Sequence, residues 1–187
     1  MSCTIGDGEF FAITGASGSG KTTLLNIMGC LETPDAGTVS IDGQKNVTQK
    51  EKLMFYRHKA GFLFQNYALL EDKTVLDNMK VALTYRNVNS KREVIYEVIK
   101  QFGLTDDIVQ KKVYQLSGGE QQRVALARLT LKDAKYIFAD EPTGNLDVDN
   151  RDIVFNHLLS LNKMGKTVVM VTHDMELVSK MSNVIAL

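Results

Sequence analysis

The sequence predicts an α/β protein: a mostly parallel sheet flanked by helices, with an inserted α-helical stretch and a short antiparallel β portion. Two observations predict it. Short apolar strands alternate with helices over residues of about 1–71 and again over 132–187. Between them, residues of about 72–131 show one helical periodicity after another with no strong strand. The whole of 1–187 reads as one domain, a core plus a helical subdomain.

The elements follow in order. Phe10 to Thr14 is continuously apolar, as a buried parallel strand should be. A Gly-rich loop follows, and a helix starts near Lys21 with Leu24, Leu25, Ile27 and Met28 on it. "GTVSIDGQ" alternates and closes at Asp42-Gly43, a turn signal, which supplies the antiparallel portion. "AGFLFQ" is a short apolar strand. "TVLDNMKVAL", "SKREVIYEVIKQFG" and "GEQQRVALARLTLK" are helical. "KYIFADEP" is a buried strand. "NRDIVFNHLLSLNKMG" is an amphipathic helix ended by Gly165. "KTVVMVTHD" is a strand, "MELVSKMS" a helix and "NVIAL" a last strand.

Bulk properties narrow the classes. The chain is 44% hydrophobic and 24% charged, with a formal net charge of zero. Zero charge gives no general pull toward nucleic acid or an anionic membrane, and no nucleic-acid partner is expected. Cys3 and Cys30 lack metal-ligand spacing. They could pair, but their number suits a reducing cytoplasm. No apolar run approaches the ~18 residues needed to cross a bilayer, and the N-terminus lacks the pattern of a signal peptide. A soluble chain is expected, with any membrane role supplied by a partner.

The chemistry lies in five motifs. Gly15-Ala16-Ser17-Gly18-Ser19-Gly20-Lys21-Thr22 matches G-x-x-x-x-G-K-[ST] between a strand and a helix. Its backbone N–H groups can curl around a phosphate, Lys21 can reach the β and γ oxygens, and Thr22 can offer a hydroxyl to Mg²⁺. Asp140 ends an apolar strand where open α/β sheets bind ligands, and can hold Mg²⁺ through water. Glu141 follows it and can accept a proton from an attacking water. His173 closes another buried strand, where a neutral imidazole can donate to a γ-phosphate or orient the water. His58 and His157 have no such context. Gln65 also ends an apolar strand; by spacing alone it reads as an ordinary polar strand end. Ser117-Gly118-Gly119 opens a helix, with Ser117 a plausible N-cap, and a simple phosphate-loop enzyme has no job for it.

Taken in chain order, the Gly-rich loop, Gln65, "LSGGE", Asp140-Glu141 and His173 resemble the ATP-binding subunit of an ABC (ATP-binding cassette) transporter. "ADEPTGNLD" and "GCLETPDAGTV" look most like the branch handling lipoprotein release, macrolide efflux and antimicrobial-peptide or bacteriocin export. The resemblance implies a P-loop NTPase with a RecA-like core, ATP and Mg²⁺ as ligands, and ATP hydrolysis. It implies that Gly15 to Thr23, thus including Thr23, hold the phosphates. Thr22, Gln65 and Asp140 would bind the metal, and Gln65 would link it to the helical subdomain and a membrane permease. Glu141 would be the general base and His173 the switch histidine. Ser117, Gly118, Gly119 and Gln121 would form the signature loop, and Asp147 the D-loop aspartate. Two copies would pack head to tail with each ATP between one P-loop and the other copy's signature. The pair would sit on the cytoplasmic face of the membrane through the permease.

Family members carry further strands before a position like Ser2, one with an aromatic residue that stacks on adenine, and extend beyond "NVIAL". The chain is therefore expected to be a fragment or a short version. Losing base stacking would cost roughly 1–3 kcal/mol, or about one to two decades of ATP affinity. "ALARLTL" replaces a more usual Ala-Arg-Ala run, which is expected to touch packing only. The alternatives are a soluble ABC-type ATPase acting on DNA or ribosomes, and an inactive remnant. A P-loop kinase or GTPase leaves the signature unexplained.

Overall fold

Five parallel strands form one sheet in the order β4-β5-β6-β1-β7, and a separate two-stranded hairpin, β2-β3, is antiparallel. The structure is a computed structural model that describes residues 2–45, 48–144 and 146–187. The strands are β1 (Phe10–Thr14), β2 (Ser40–Ile41), β3 (Gln44–Lys45), β4 (Ala60–Phe64), β5 (Tyr136–Asp140), β6 (Thr167–Val171) and β7 (Asn183–Ala186). The helices are α1 (Lys21–Met28), α2 (Gln49–His58), α3 (Val75–Ala82), α4 (Lys91–Gln101), α5 (Gly118–Lys132), α6 (Val148–Lys163) and α7 (Met175–Val178).

The central strands β1, β5 and β6 are buried on both faces because their runs FFAI, YIFA and VVMV are continuously apolar, not apolar at alternate positions; the edge strand β7 is partly exposed. Phe138, Val169 and Ile13 point to the side covered by α1 and α2, where Leu25 and Phe55 meet them. Ile137, Val168 and Met170 point to the other side, against Leu126 of α5 and Leu158 of α6. Leu126 and Leu158 have no exposed surface; truncating either to Ala would cost about 2–5 kcal/mol.

The helical stretch has its own core, built from Met79 of α3, Ile95 and Ile99 of α4, and Ile108. Helix α5 closes that core with Val124, Ala127 and Leu131, spaced i, i+3, i+7. Its Ala125, Leu126 and Leu129 pack instead on the sheet side. Helix α5 is thus a shared wall between the two cores.

Four sequence expectations need correction. Helix α2 was not foreseen, although Thr48 and Glu51 form a capping box at its start; only Phe55 of it is buried, so its periodicity is faint. The strand around "TVSI" shrinks to two residues. His173 does not close β6, which ends at Val171, but lies in the loop beyond it. Cys3 is exposed and Cys30 buried, and both are free thiols.

Candidate active site

The register places the C-terminal ends of the strands in line. Phe64, Asp140, Val171, Ile13 and Ile185 occupy one row across the sheet. The residues that follow this row therefore emerge along one edge: Gln65 after β4, Glu141 after β5, His173 after β6 and the Gly-rich loop after β1. Crevices at this edge are where open α/β sheets bind ligands.

The loop after β1 is exposed from Ala16 to Gly20. Gly20 is the N-cap of α1 with φ 94°, a left-handed conformation that a Cβ would strain. No side chain caps this helix. Among the described residues the backbone N–H groups of Lys21, Thr22 and Thr23 have no hydrogen-bond acceptor. They add to the positive end of the helix dipole, an arrangement suited to an anion. Lys21 is only 9% exposed. Its Nζ donates to the carbonyls of Gly15 at 3.1 Å and Ala16 at 2.8 Å. No carboxylate among the described residues pairs with this ammonium, so its charge is left for a ligand.

Thr22 and Asp140 come together from 118 residues apart: the Thr22 Oγ1 hydroxyl donates to Asp140 Oδ1 at 3.0 Å. Glu141 has φ 45°, a left-handed backbone that strains a non-glycine residue. Its N–H donates to the Val171 carbonyl at 3.1 Å, which fixes this turn against β6. Its Oε2 lies 2.7 Å from His173 Nδ1. The His173 loop is held in turn by α6: Arg151 Nη1 lies 3.2 Å from the Asp174 carboxylate and 2.8 Å from that of Glu176.

Gln65 is exposed at the same edge. A Cβ placed on Gly144 would stand 2.9 Å from Gln65 Nε2 and 3.3 Å from the Glu141 carbonyl. Glycine at 144 therefore lets the Gln65 amide approach the turn that carries Glu141.

The signature residues lie elsewhere. Ser117 is the N-cap of α5: its Oγ accepts the Glu120 N–H at 3.3 Å, and Glu120 Oε2 accepts the Ser117 N–H at 2.8 Å. The Ser117 hydroxyl, which donates to Glu120 Oε2 at 2.8 Å, and then the Ser117 N–H hold the Glu120 carboxyl below its usual range. Gly118 has open space where a Cβ would stand. Gln121 Nε2 donates to the Leu116 carbonyl at 3.1 Å. Asp147 caps α6, accepting from the Asn150 N–H at 2.8 Å; Asn145, in the same "GNLD" string, lies outside the described residues. No hydrogen bond or ion pair among the described residues joins Ser117, Gly118, Gly119, Gln121 or Asp147 to the Gly-rich loop. Thus Gly15–Thr23, Gln65, Asp140, Glu141 and His173 share one edge of the sheet, and the signature and Asp147 have no bond to it.

His157, given no role above, packs edge-on to Phe102 at 5.0 Å and meets Thr130 Oγ1 at 3.1 Å. His58 packs edge-on to Tyr85 at 6.0 Å. Gly144 was missed as a site residue; its only signal was a glycine three places after Glu141.

Fold and edge together define a P-loop nucleoside-triphosphate-binding α/β protein. The profile of the ABC transporter family matches residues 1–144, and the chain belongs to that family. It is 43% identical over 185 residues to a macrolide export ATP-binding/permease protein of Paracoccus denitrificans, a match covering 97% of this chain but 28% of the relative. It is 40% identical over 184 residues to an ABC transporter ATP-binding protein of Thermotoga maritima, covering 96% of this chain and 78% of the relative. The dimeric, ADP- and Pi-bound post-hydrolysis structure of the ATP-binding cassette MJ0796 superposes with a TM-score of 0.88 at 39% identity, over 99% of this chain and 83% of that one. No helix among the described residues is long and apolar enough to cross a membrane.

Proposed function

We propose that this chain is the ATP-hydrolysing cassette of an ABC exporter. It works as a head-to-tail pair and drives a membrane permease from the cytoplasmic face. The observation that carries the reading is the Glu141–His173 pair at 2.7 Å, on the same sheet edge as the loop of Lys21. The macrolide exporters to which the chain is similar join such a cassette to a permease in one polypeptide, as their names state; here the chain corresponds to the cassette portion.

In this reading the free N–H groups of Lys21, Thr22 and Thr23, with those of Gly15–Gly20, bind the phosphates of ATP. The Lys21 ammonium neutralises charge on the β and γ oxygens. The donor set near Thr22 fits a hard divalent cation: a hydroxyl and a carboxylate 3.0 Å apart, with the Gln65 amide on the same edge. Mg²⁺ takes few protein oxygens and fills its shell with water and phosphate, so Thr22, Asp140 and Gln65 would hold it. When bound it spreads the negative charge of the phosphates. Glu141 takes a proton from the water that attacks the γ-phosphorus, and the bond to ADP breaks. His173, within hydrogen-bond distance of Glu141, orients that water or donates to the γ-phosphate. Ser117, Gly118, Gly119, Gln121 and Asp147 of a second copy complete the site; among the described residues no hydrogen bond or ion pair joins them to this chain's own Gly-rich loop. A helical subdomain of about residues 72–131 contacts the permease, and the exported cargo belongs to the permease.

The test is phosphate release from Mg²⁺-ATP, with Glu141→Gln beside the parent. The variant should bind ATP, run as a dimer on gel filtration with ATP, and lose about 10²–10⁴-fold in turnover. Parental turnover in Glu141→Gln would remove Glu141 as the base. A parent that does not bind ATP would overturn the reading.

A further inference from the structure

Helix α5 carries a half-buried cation, Arg128, with no acidic partner among the described residues. Arg128 Nη1 donates to the Ala68 carbonyl at 2.6 Å and Nη2 to the Tyr67 carbonyl at 2.6 Å. Among the described residues no carboxylate pairs with it, and burial lowers its pKa. Withdrawing a guanidinium even partly from water is costly unless donors turned inward find acceptors. Here one N–H of each terminal nitrogen is met by one of two successive backbone carbonyls, and by their position those carbonyls matter. Tyr67 has φ 61° and Ala68 φ 43°. Both are left-handed in non-glycine residues, a path that persists only where the surroundings impose it. They stand two and three residues after Gln65.

Other contacts also hold this segment: Tyr67 and Leu69 pack against the sheet-side core. The Tyr67 N–H donates to the Phe64 carbonyl at 2.9 Å. Asn78 of α3, fully buried, holds the far end: its Oδ1 accepts the Leu70 N–H at 2.8 Å and its Nδ2 donates to the Leu70 carbonyl at 3.1 Å. The Ala68 N–H donates to Asn66 Oδ1 at 3.3 Å, so the N–H groups of the left-handed pair are met within the loop and by β4, while its two carbonyls are held by Arg128.

We propose that Arg128 is a positioning residue for Gln65: by gripping the Tyr67 and Ala68 carbonyls it holds the loop in its left-handed path and ties the place of the Gln65 amide to that of α5. Helix α5 begins at the signature, so one rigid helix carries both Ser117 and the grip on the Gln65 loop. The functional consequence rests on the ATPase reading above; the structural one does not.

Arg128→Met keeps the apolar stem and removes both hydrogen bonds. Hydrogen exchange at the Tyr67 and Leu70 amides should quicken about tenfold, with β5 amides unchanged. Turnover should fall about tenfold while KM for Mg²⁺-ATP holds, because misplacing one group by about an ångström is enough. Ala68→Gly, which adopts the left-handed path without strain, should recover part of the loss in the Arg128→Met background. Adding Arg128→Met to Gln65→Ala should cost nothing more. Additive losses, unchanged exchange at Tyr67 and Leu70, or exchange that quickens equally in β5 would each overturn the proposal. If Arg128→Met does not fold, Arg128→Lys, which keeps the charge but lacks the fork, is measured by the same exchange. If the parent itself does not hydrolyse ATP, the ATPase reading falls and the exchange result alone decides the role of Arg128.

Discussion

Glu141 Oε2 and His173 Nδ1 lie 2.7 Å apart, although 32 residues and one helix separate them in the chain. Each is set by a different device. Glu141 is aimed by its left-handed backbone, and His173 by a loop whose next residue, Asp174, is held by Arg151. His173→Ala should lower turnover on the order of a hundredfold, with no matching fall in thermal midpoint, because His173 is exposed. Phosphate release and a thermal melt on the same sample check this. Parental turnover in His173→Ala would leave the pair without a catalytic role.

Gly144 tests the placement of Gln65 by crowding rather than by deletion. Gly144→Ala puts a methyl 2.9 Å from Gln65 Nε2, and the Glu141 carbonyl at 3.3 Å leaves the turn little room to retreat. The Gln65 amide should swing away. Turnover should drop about tenfold while ATP affinity, set by the loop after β1, stays. Equal losses in affinity and turnover, read by titration calorimetry and steady-state rates, would argue against this.

Ser117 caps α5 and, in the proposed pair, faces the other copy's ATP, and substitution separates the two. Ser117→Arg should abolish ATP-driven dimerisation, and loss of the cap should also cost ~1 kcal/mol, about 2–4 °C in a chain of this size. Ser117→Asp keeps a capping oxygen, so its melt should match the parent, yet its charge opposes a phosphate. It too should remain monomeric with ATP. Sedimentation of both variants in a Glu141→Gln background gives the reading; an ATP-dependent dimer in either would place the signature outside the interface.

His157 predicts a pH dependence of stability. Burial pushes its imidazole from its usual 6.5 down to about 4. The fold therefore prefers the neutral ring, which meets Thr130 at 3.1 Å. Its contribution is whole above about pH 6.5 and is lost as pH falls toward 4, by up to about 3 kcal/mol for 2.5 pK units. Urea titrations of the parent and His157→Gln at pH 7 and pH 4.5 should show their difference shrinking at the lower pH. A constant difference would mean that the ring does not titrate this way.

The sequence by itself determined much. Strand ends, the Gly-rich loop and the capped start of α5 are local, written in runs such as "FFAITG" and "LSGGE", and each depends on neighbours a few residues away. The residue types at Gln65, Asp140, Glu141 and His173 could be picked out because each follows an apolar run. Tertiary structure alone decided that they meet. The order β4-β5-β6-β1-β7 and the row from Phe64 to Ile13 bring four strand ends to one edge, and strand pairing over more than a hundred residues leaves no local mark. Helix α2 was illegible because it buries one residue, too little to impose a period. Arg128 was illegible for a further reason. Its partners are backbone carbonyls of Tyr67 and Ala68, and a carbonyl is the same in every residue, so only the folded path of the chain says which one an arginine will find.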